Sequence, residues 1–315
     1  SGEGGAGKRG TRAVYGGHSP VGTMIYLGDN WPAIYRNHLF THNLHGHQMS
    51  HQINVRQGSA YETFHGGYDL LYAPDPAYVA VDLKYGPDGA VYVIDWVDRQ
   101  HCHNPRPENW DRTNGRVYRI SWADTYRPTT VNLAEKSDTE LAEAVHSRNQ
   151  WSADTARRLL QERAARRGGL DPEAASVLAS SIKHDVRAED FLESLWALHN
   201  AGQLTDSQIQ IAIDHPSDVV RAWTIRLATD TVRGQRLASD RLVDLASNDP
   251  SATVRLALAA ALPELSEKDR WVLGSALATH GEDAHDRFLP KMIWYGLASV
   301  APEDIPRAMR LADTT

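Results

Sequence analysis

The chain has one cysteine, Cys102, among 315 residues. A lone thiol excludes an internal disulfide and a complete CxxCH haem-attachment motif within these residues. No run approaches the roughly 18 consecutive apolar residues that a membrane helix needs. Basic residues form no stripe able to collect phosphates, and the net charge is −7, which argues against nucleic-acid binding. No secretory leader pattern is visible, and the chain does not begin with Met. Residues 1–11, opening with SGEGGAGKRG, read as a flexible linker. The expectation is a segment of a longer polypeptide, whose lack of a leader says nothing about location.

What is present is unevenly spread. Nine of the fifteen histidines lie at or before position 103. Acidic and basic residues balance over 1–131, so the whole negative excess falls on 132–315. A chain of this length suggests two units rather than one core. Any chemistry is expected in the histidine-rich first third, with support from the rest.

Residues 12–125 read as β-rich. Strands are predicted over Thr23 to Gly28, Asn37 to Asn43, Met49 to Val55, Val79 to Tyr85, Ala90 to Trp96 and Arg116 to Ser121, from alternation and bounding turns. Gly86-Pro87-Asp88-Gly89 predicts a tight hairpin, because Gly accepts the positive φ such a turn requires. Short antiparallel strands at this spacing mean a sandwich, a barrel or a propeller. About seven strands make roughly two propeller blades, which cannot close a ring, so further blades are expected upstream.

The string His18-Ser19-Pro20, Tyr26, Trp31-Pro32, Tyr35-Arg36-Asn37, Leu39-Phe40 and His45-Gly46 resembles the last blades of the sorbosone and soluble glucose dehydrogenase propellers. Val81-Asp82, the Gly86 to Gly89 turn, Val91-Tyr92-Val93, Asp95 and Gly115 to Ile120 resemble their terminal blade. The resemblance implies pyrroloquinoline quinone (PQQ) with Ca²⁺ as cofactor, and a sugar or polyol substrate. It implies that His45, with His18 and His47 nearby, positions the quinone through charge-assisted bonds. It also implies a general base in an earlier blade, outside this chain. The family commonly carries arginines where this chain has Val79 and Val81.

Other candidates have two readings each. His101-Cys102-His103 sits in a loop rich in His, Pro, Asn and Trp, where His101 and His103 are candidate zinc or copper ligands or packed, satisfied histidines. His42, His45, His47 and His51 form either a metal cluster or the polar faces of strands and turns. Trp31, Trp96 and Trp110 fill gaps between blades or stack on a sugar. Asp29, Asp95 and Asp98 cap turns and blade ends or help hold Ca²⁺.

Residues 132–315 change to helical periodicity. Helices are predicted over Asp138 to Arg148, Trp151 to Arg166, Asp171 to Lys183, Ala188 to Asn200 and Asp206 to Asp214. Ser137 with Glu140 predicts a capping box, and Asp171-Pro172 a helix start. His215-Pro216-Ser217-Asp218-Val219-Val220-Arg221 recurs 34 residues on as Asp249-Pro250-Ser251-Ala252-Thr253-Val254-Arg255, and Asp286 to Leu297 is a divergent copy. In this reading Pro starts each helix. Stacked HEAT-like pairs follow, because one pair cannot bury its own face. Trp196, Trp223 and Trp294 are expected in the inter-repeat core.

The expected fold class is therefore multidomain, β then α: a partial β-propeller of about two antiparallel blades over 12–125, then an α-α superhelix of HEAT-like repeats over 132–315. Trp151, Asp154 to Leu160, Glu162-Arg163 and Leu195 to His199 resemble large bacterial proteins described as membrane-bound dehydrogenases. In these a sugar-dehydrogenase-like propeller leads into helical repeats, often followed by a c-type cytochrome domain. Three functions remain open. The first is a section of an extracytoplasmic (periplasmic) quinoprotein-like dehydrogenase whose haem c sits on another domain. The second is a non-catalytic binder of a glycan or protein. The third is a metal-dependent hydrolase.

Overall fold

The computed structural model describes residues 20–99, 113–230 and 235–312. Among the described residues eight strands precede eleven α-helices, so the β-then-α order holds. By contact the residues fall into two units. One gathers the strands with residues 147–155. The other gathers the helices with 136–146 and with 56–61, the tip of one hairpin.

The first sheet holds β1 (Pro20–Ile25), β2 (Leu39–Asn43), β3 (Gln48–Gln57) and β4 (Ala60–His65) in sequential antiparallel order, with β5 (Leu71–Tyr72) also pairing β3. The second holds β6 (Ala80–Tyr85), β7 (Val91–Asp95) and β8 (Arg116–Ile120). The predicted hairpin joins β6 to β7. Gly89 sits at φ +71°, and its N–H donates to the Gly86 carbonyl at 3.0 Å. Strands β4 and β5 were not anticipated. β4 is exposed along its middle, and β5 is two residues long, so neither shows one-sided alternation.

The two sheets share one core. Met24, Phe40 and Met49 of the first, with Tyr26 just past β1, meet Leu83, Val91 and Val93 of the second. Tyr26 is fully buried and stacks on Trp31 with ring centroids 4.7 Å apart. Its hydroxyl donates to the Gly89 carbonyl at 2.8 Å and accepts from the Trp31 N–H at 2.7 Å. Burial of one such ring contributes about 2–3 kcal/mol, and the satisfied hydroxyl avoids the penalty of an orphaned polar group. Trp31 is thus a core residue, as the gap-filling reading expected. Gly22, at φ +58° in a bulge of β1, lies so close to β6 that a Cβ would come within 2.8 Å of the Asp82 Cα.

The helices are α1 (Asp138–Ala144), α2 (Gln150–Arg167), α3 (Pro172–Ser180), α4 (Ala188–Asn200), α5 (Asp206–Ile213), α6 (Asp218–Ala228), α7 (Ser239–Asn248), α8 (Ala252–Ala261), α9 (Glu267–Leu277), α10 (Leu289–Ala298) and α11 (Ile305–Ala312). The capping box at Ser137 and Glu140 forms as predicted, and Asp171 caps α3 with Pro172 in its first turn. Helices α4, α6, α8 and α10 pack in series, with α5 against α6 and α7 against α8 and α9. The 34-residue repeat is physical. The Arg221 guanidinium pairs with Asp249 and bonds the His215 carbonyl at 2.9 Å. Arg255 pairs with Asp283 and bonds the Asp249 carbonyl at 2.9 Å. Pro216 and Pro250 do not open their helices. They stand two residues ahead of α6 and α8, and Ser217 and Ser251 occupy the cap positions.

Candidate functional site

Of the singled-out residues, His18, His101 and His103, with Cys102 and Trp110, lie outside the described residues. His45 is half-buried in the turn between β2 and β3. His47 closes that turn, buried and at φ +54°, and its Nδ1–H donates to the Tyr78 carbonyl at 2.5 Å. A carbonyl can only accept, so the proton is fixed on Nδ1. Val79 is fully buried, and its N–H donates to Asp95 Oδ1 at 2.7 Å. The same oxygen accepts from Val97 at 3.0 Å, so Asp95 caps the strand ends in the role its capping reading assigned.

The remaining sheet histidines are also built into the fold. In the β2–β3 register Phe40 faces His51 and His42 faces Met49. This puts His42 and His51 on the core side, 1% and 3% exposed. The polar-face reading of these rings is corrected: an alternation that looked half-exposed is covered on both sides. Burial pushes His42 down to about 4, offset only in part by the Gln48 backbone. Burial, then the neighbouring His38 and His65, pushes His51 down to about 4. His51 Nε2 lies 2.8 Å from His38 Nδ1, so one ring donates and the other accepts. His65 Nδ1 accepts from the Gly67 N–H at 3.0 Å, which leaves Nε2 to carry the proton toward Asp69 Oδ1, 3.3 Å away. Gln48 donates to the other Asp69 oxygen at 2.8 Å. Burial raises the Asp69 carboxyl above its usual range. His38, His51 and His65 are tied into the sheet by these bonds, whereas His42 is sealed without one. Among the described residues no group of three His, Cys, Asp or Glu side chains is placed to hold a metal ion.

The strand unit also carries an open cleft. It has a volume of about 240 Å³ and lies between β1, β6 and the first two turns of α2. Its walls are Thr23 and Met24, Leu83, Lys84 and Tyr85, and Trp151, Asp154 and Thr155. The helix start is pinned there by Asn149. Its Oδ1 accepts from the Trp151 N–H at 3.2 Å, and its Nδ2 donates to the Gly86 and Pro87 carbonyls at 3.0 and 3.1 Å. The Gln150 N–H reaches the Leu27 carbonyl at 3.0 Å. One bond network therefore orients Trp151 against the hairpin that carries Tyr85. Sequence reasoning missed this site. Trp151, Asp154 and Thr155 stood only in a resemblance string, more than sixty positions from Lys84 and Tyr85.

Residues 10–124 match a family described as a domain of unknown function, DUF7133. That is about a third of the chain, and its described part is the strand region. No curated protein and no solved structure matches the chain. Among the described residues no helix is long and apolar enough to cross a membrane.

Proposed function

We propose that this chain is a non-catalytic recognition and scaffolding section. In this reading two propeller-like sheets carry a glycan-binding cleft, and HEAT-like repeats follow as scaffold in an extracytoplasmic protein. The observation behind it is the make-up of the cleft. Sugars present an apolar C–H face and a rim of hydroxyls. Trp151 and Tyr85 supply flat apolar surface, while Lys84, Asp154, Thr155 and Thr23 supply donors and acceptors. The volume is below the ~300–1,000 Å³ of typical ligand pockets, which suits a single sugar ring at the end of a chain.

At Val79 the described residues offer no cation to a quinone cofactor. An anionic quinone bearing carboxylates calls for cationic donors. The Val79 position is apolar and sealed in the core. The buried carboxylate of Asp95 accepts from the Val79 N–H, and Arg116 is engaged by Tyr118 and Asp75. The test of the glycan reading is a titration of the protein with hexoses and short oligosaccharides, followed by tryptophan fluorescence and amide chemical shifts. Saturable shifts around Trp151, lost in Trp151→Ala, are expected. Absence of any saturable response across the panel overturns the reading.

The residue string from His18 to Ile120 favours a second reading. There this chain is the last-blade section of a PQQ- and Ca²⁺-dependent dehydrogenase for a sugar or polyol, and a haem c domain elsewhere takes the electrons. Dye reduction by the full-length parent after loading with PQQ and Ca²⁺ tests it. No quinone uptake removes it.

A further inference from the structure

Residues 56–61, which group with the helices, rest in a seat made by the starts of three of them. The Arg56 guanidinium donates to Asp218 Oδ2, in the first turn of α6, at 2.6 Å, and to the Thr253 hydroxyl of α8. The Ser59 N–H and hydroxyl donate to the two oxygens of Asp286, just ahead of α10, at 2.7 and 2.6 Å. Gly58 stands at φ +56°, and a Cβ there would run into the Asp286 carboxylate. Arg, Gly and Ser of this turn are thus each matched to a feature of the seat.

The seat does not depend on its occupant. Asp286 Oδ1 also accepts from the Phe288 and Leu289 N–H groups at 2.9 and 3.0 Å, so the start of α10 fixes it. Asp218 Oδ2 also accepts from the Ser251 hydroxyl at 2.6 Å. Both carboxylates therefore keep their places when the turn leaves. The grip is uneven: Ser59 is buried, whereas the Arg56 and Asp218 side chains are 38% and 24% exposed. A small turn on a ready-made receptor, open to water at one end, has the make-up of a unit that opens without the helices.

We propose that the turn 56–61 is a latch, occupying in cis a seat that also accepts an Arg-x-Gly-Ser turn of a partner protein. The chemistry of the partner is read from the turn already bound: a guanidinium for Asp218, a glycine where a Cβ is excluded, and an N–H with a hydroxyl for Asp286. A tethered turn holds an effective concentration on the order of millimolar, so a partner's turn enters only when the latch opens. The proposal is independent of the glycan cleft, which lies in the strand unit.

Amide hydrogen exchange on the full chain reads the opening. The Ser59 amide, bonded in the seat, is expected to exchange at least roughly tenfold faster than amides buried in α8 and α10. The probe for the seat is the capped peptide acetyl-Val-Arg-Gln-Gly-Ser-Ala-amide, followed by amide shifts around Asp286 and Val219. It is expected to bind the double variant Arg56→Ala with Ser59→Ala at least roughly tenfold more tightly than the parent, the worth of the charge-assisted bonds that fill the parent's seat. A peptide with valine for glycine is expected not to bind. If the double variant does not fold, Arg56→Ala alone decides, through a roughly threefold gain in peptide affinity, the worth of an exposed ion pair. Ser59 exchange at the rate of the helices, no binding to the opened variant, equal affinity for variant and parent, or equal binding of the valine peptide overturns the proposal.

Discussion

Arg255 grips Asp283 through two parallel bonds, Nε to Oδ2 at 2.5 Å and Nη2 to Oδ1 at 2.7 Å, with both residues buried. Arg221 holds Asp249 in the same fork, at 2.7 and 2.9 Å. The ladder thus repeats with the sequence, and each rung ties the start of one helix to the loop that follows the next.

Breaking a buried pair leaves a charge without compensation, while replacing both partners removes the charge altogether. Arg255→Met is therefore expected to destabilise the helical unit by about 3–5 kcal/mol in urea denaturation. The double variant Arg255→Met with Asp283→Leu is expected to recover most of that loss. A single variant as stable as the parent contradicts a buried, bidentate role.

The sheet histidines make stability depend on acid. His42 and His51 sit near 4 in the folded state against about 6.5 in an unfolded chain. Between those values the unfolded chain binds protons that the folded sheet refuses. The stability tied to the neutral rings is complete above pH 6.5 and is lost as pH falls toward 4, on the order of 3 kcal/mol for each ring. Urea midpoints at pH 7 and pH 5 read this directly. Neither ring nitrogen of His42 makes a well-aligned hydrogen bond, so His42→Leu is expected to be near neutral at pH 7 and to flatten the acid loss. A large loss at pH 7 would show that the imidazole is needed.

Asn149 separates capping from clamping. Asp caps helices as well as Asn does, but it cannot donate. Asn149→Asp would turn a carboxylate toward the Gly86 and Pro87 carbonyls, which now accept from Nδ2. A loss of about 2–4 kcal/mol is expected, from two missing bonds and an uncompensated buried charge. Far-UV signal from α2 should survive while the transition midpoint falls. A midpoint unchanged from the parent means the clamp contributes nothing.

Two glycines at positive φ should respond differently to alanine. At Gly67, φ +89°, a Cβ meets nothing within 4 Å. Gly67→Ala then costs backbone strain alone, about 1 kcal/mol. At Gly89, φ +71°, the added methyl would approach the Asn30 nitrogen at 2.6 Å and crowd Asp29. Gly89→Ala is expected to lose about 2–4 kcal/mol. Equal losses at the two sites, measured by thermal or urea unfolding, would mean that the close approach at Gly89 carries no cost.

The hairpin at Gly86 to Gly89, the capping box at Ser137 and the repeat at Arg221 and Arg255 were legible because each is set by neighbours in the chain or by a period visible in it. The same locality explains what was missed. Trp294 reads as an inter-repeat core residue, yet it is 57% exposed on α10. A stripe shows which side of a helix is apolar, not whether another element covers it. His42 and His51 read as strand-face polar residues, yet the facing of β2 and β3 turns them inward.

By itself the amino-acid sequence determined the order of strands and helices, the turn chemistry and the 34-residue period, since all three follow from backbone preference and short-range pairing. Only the tertiary structure decided which imidazoles are sealed and that Trp151 shares one cleft with Lys84 and Tyr85. Those outcomes depend on which surfaces are brought together across large sequence separations, and burial, charge pairing and cavity shape exist only once they meet.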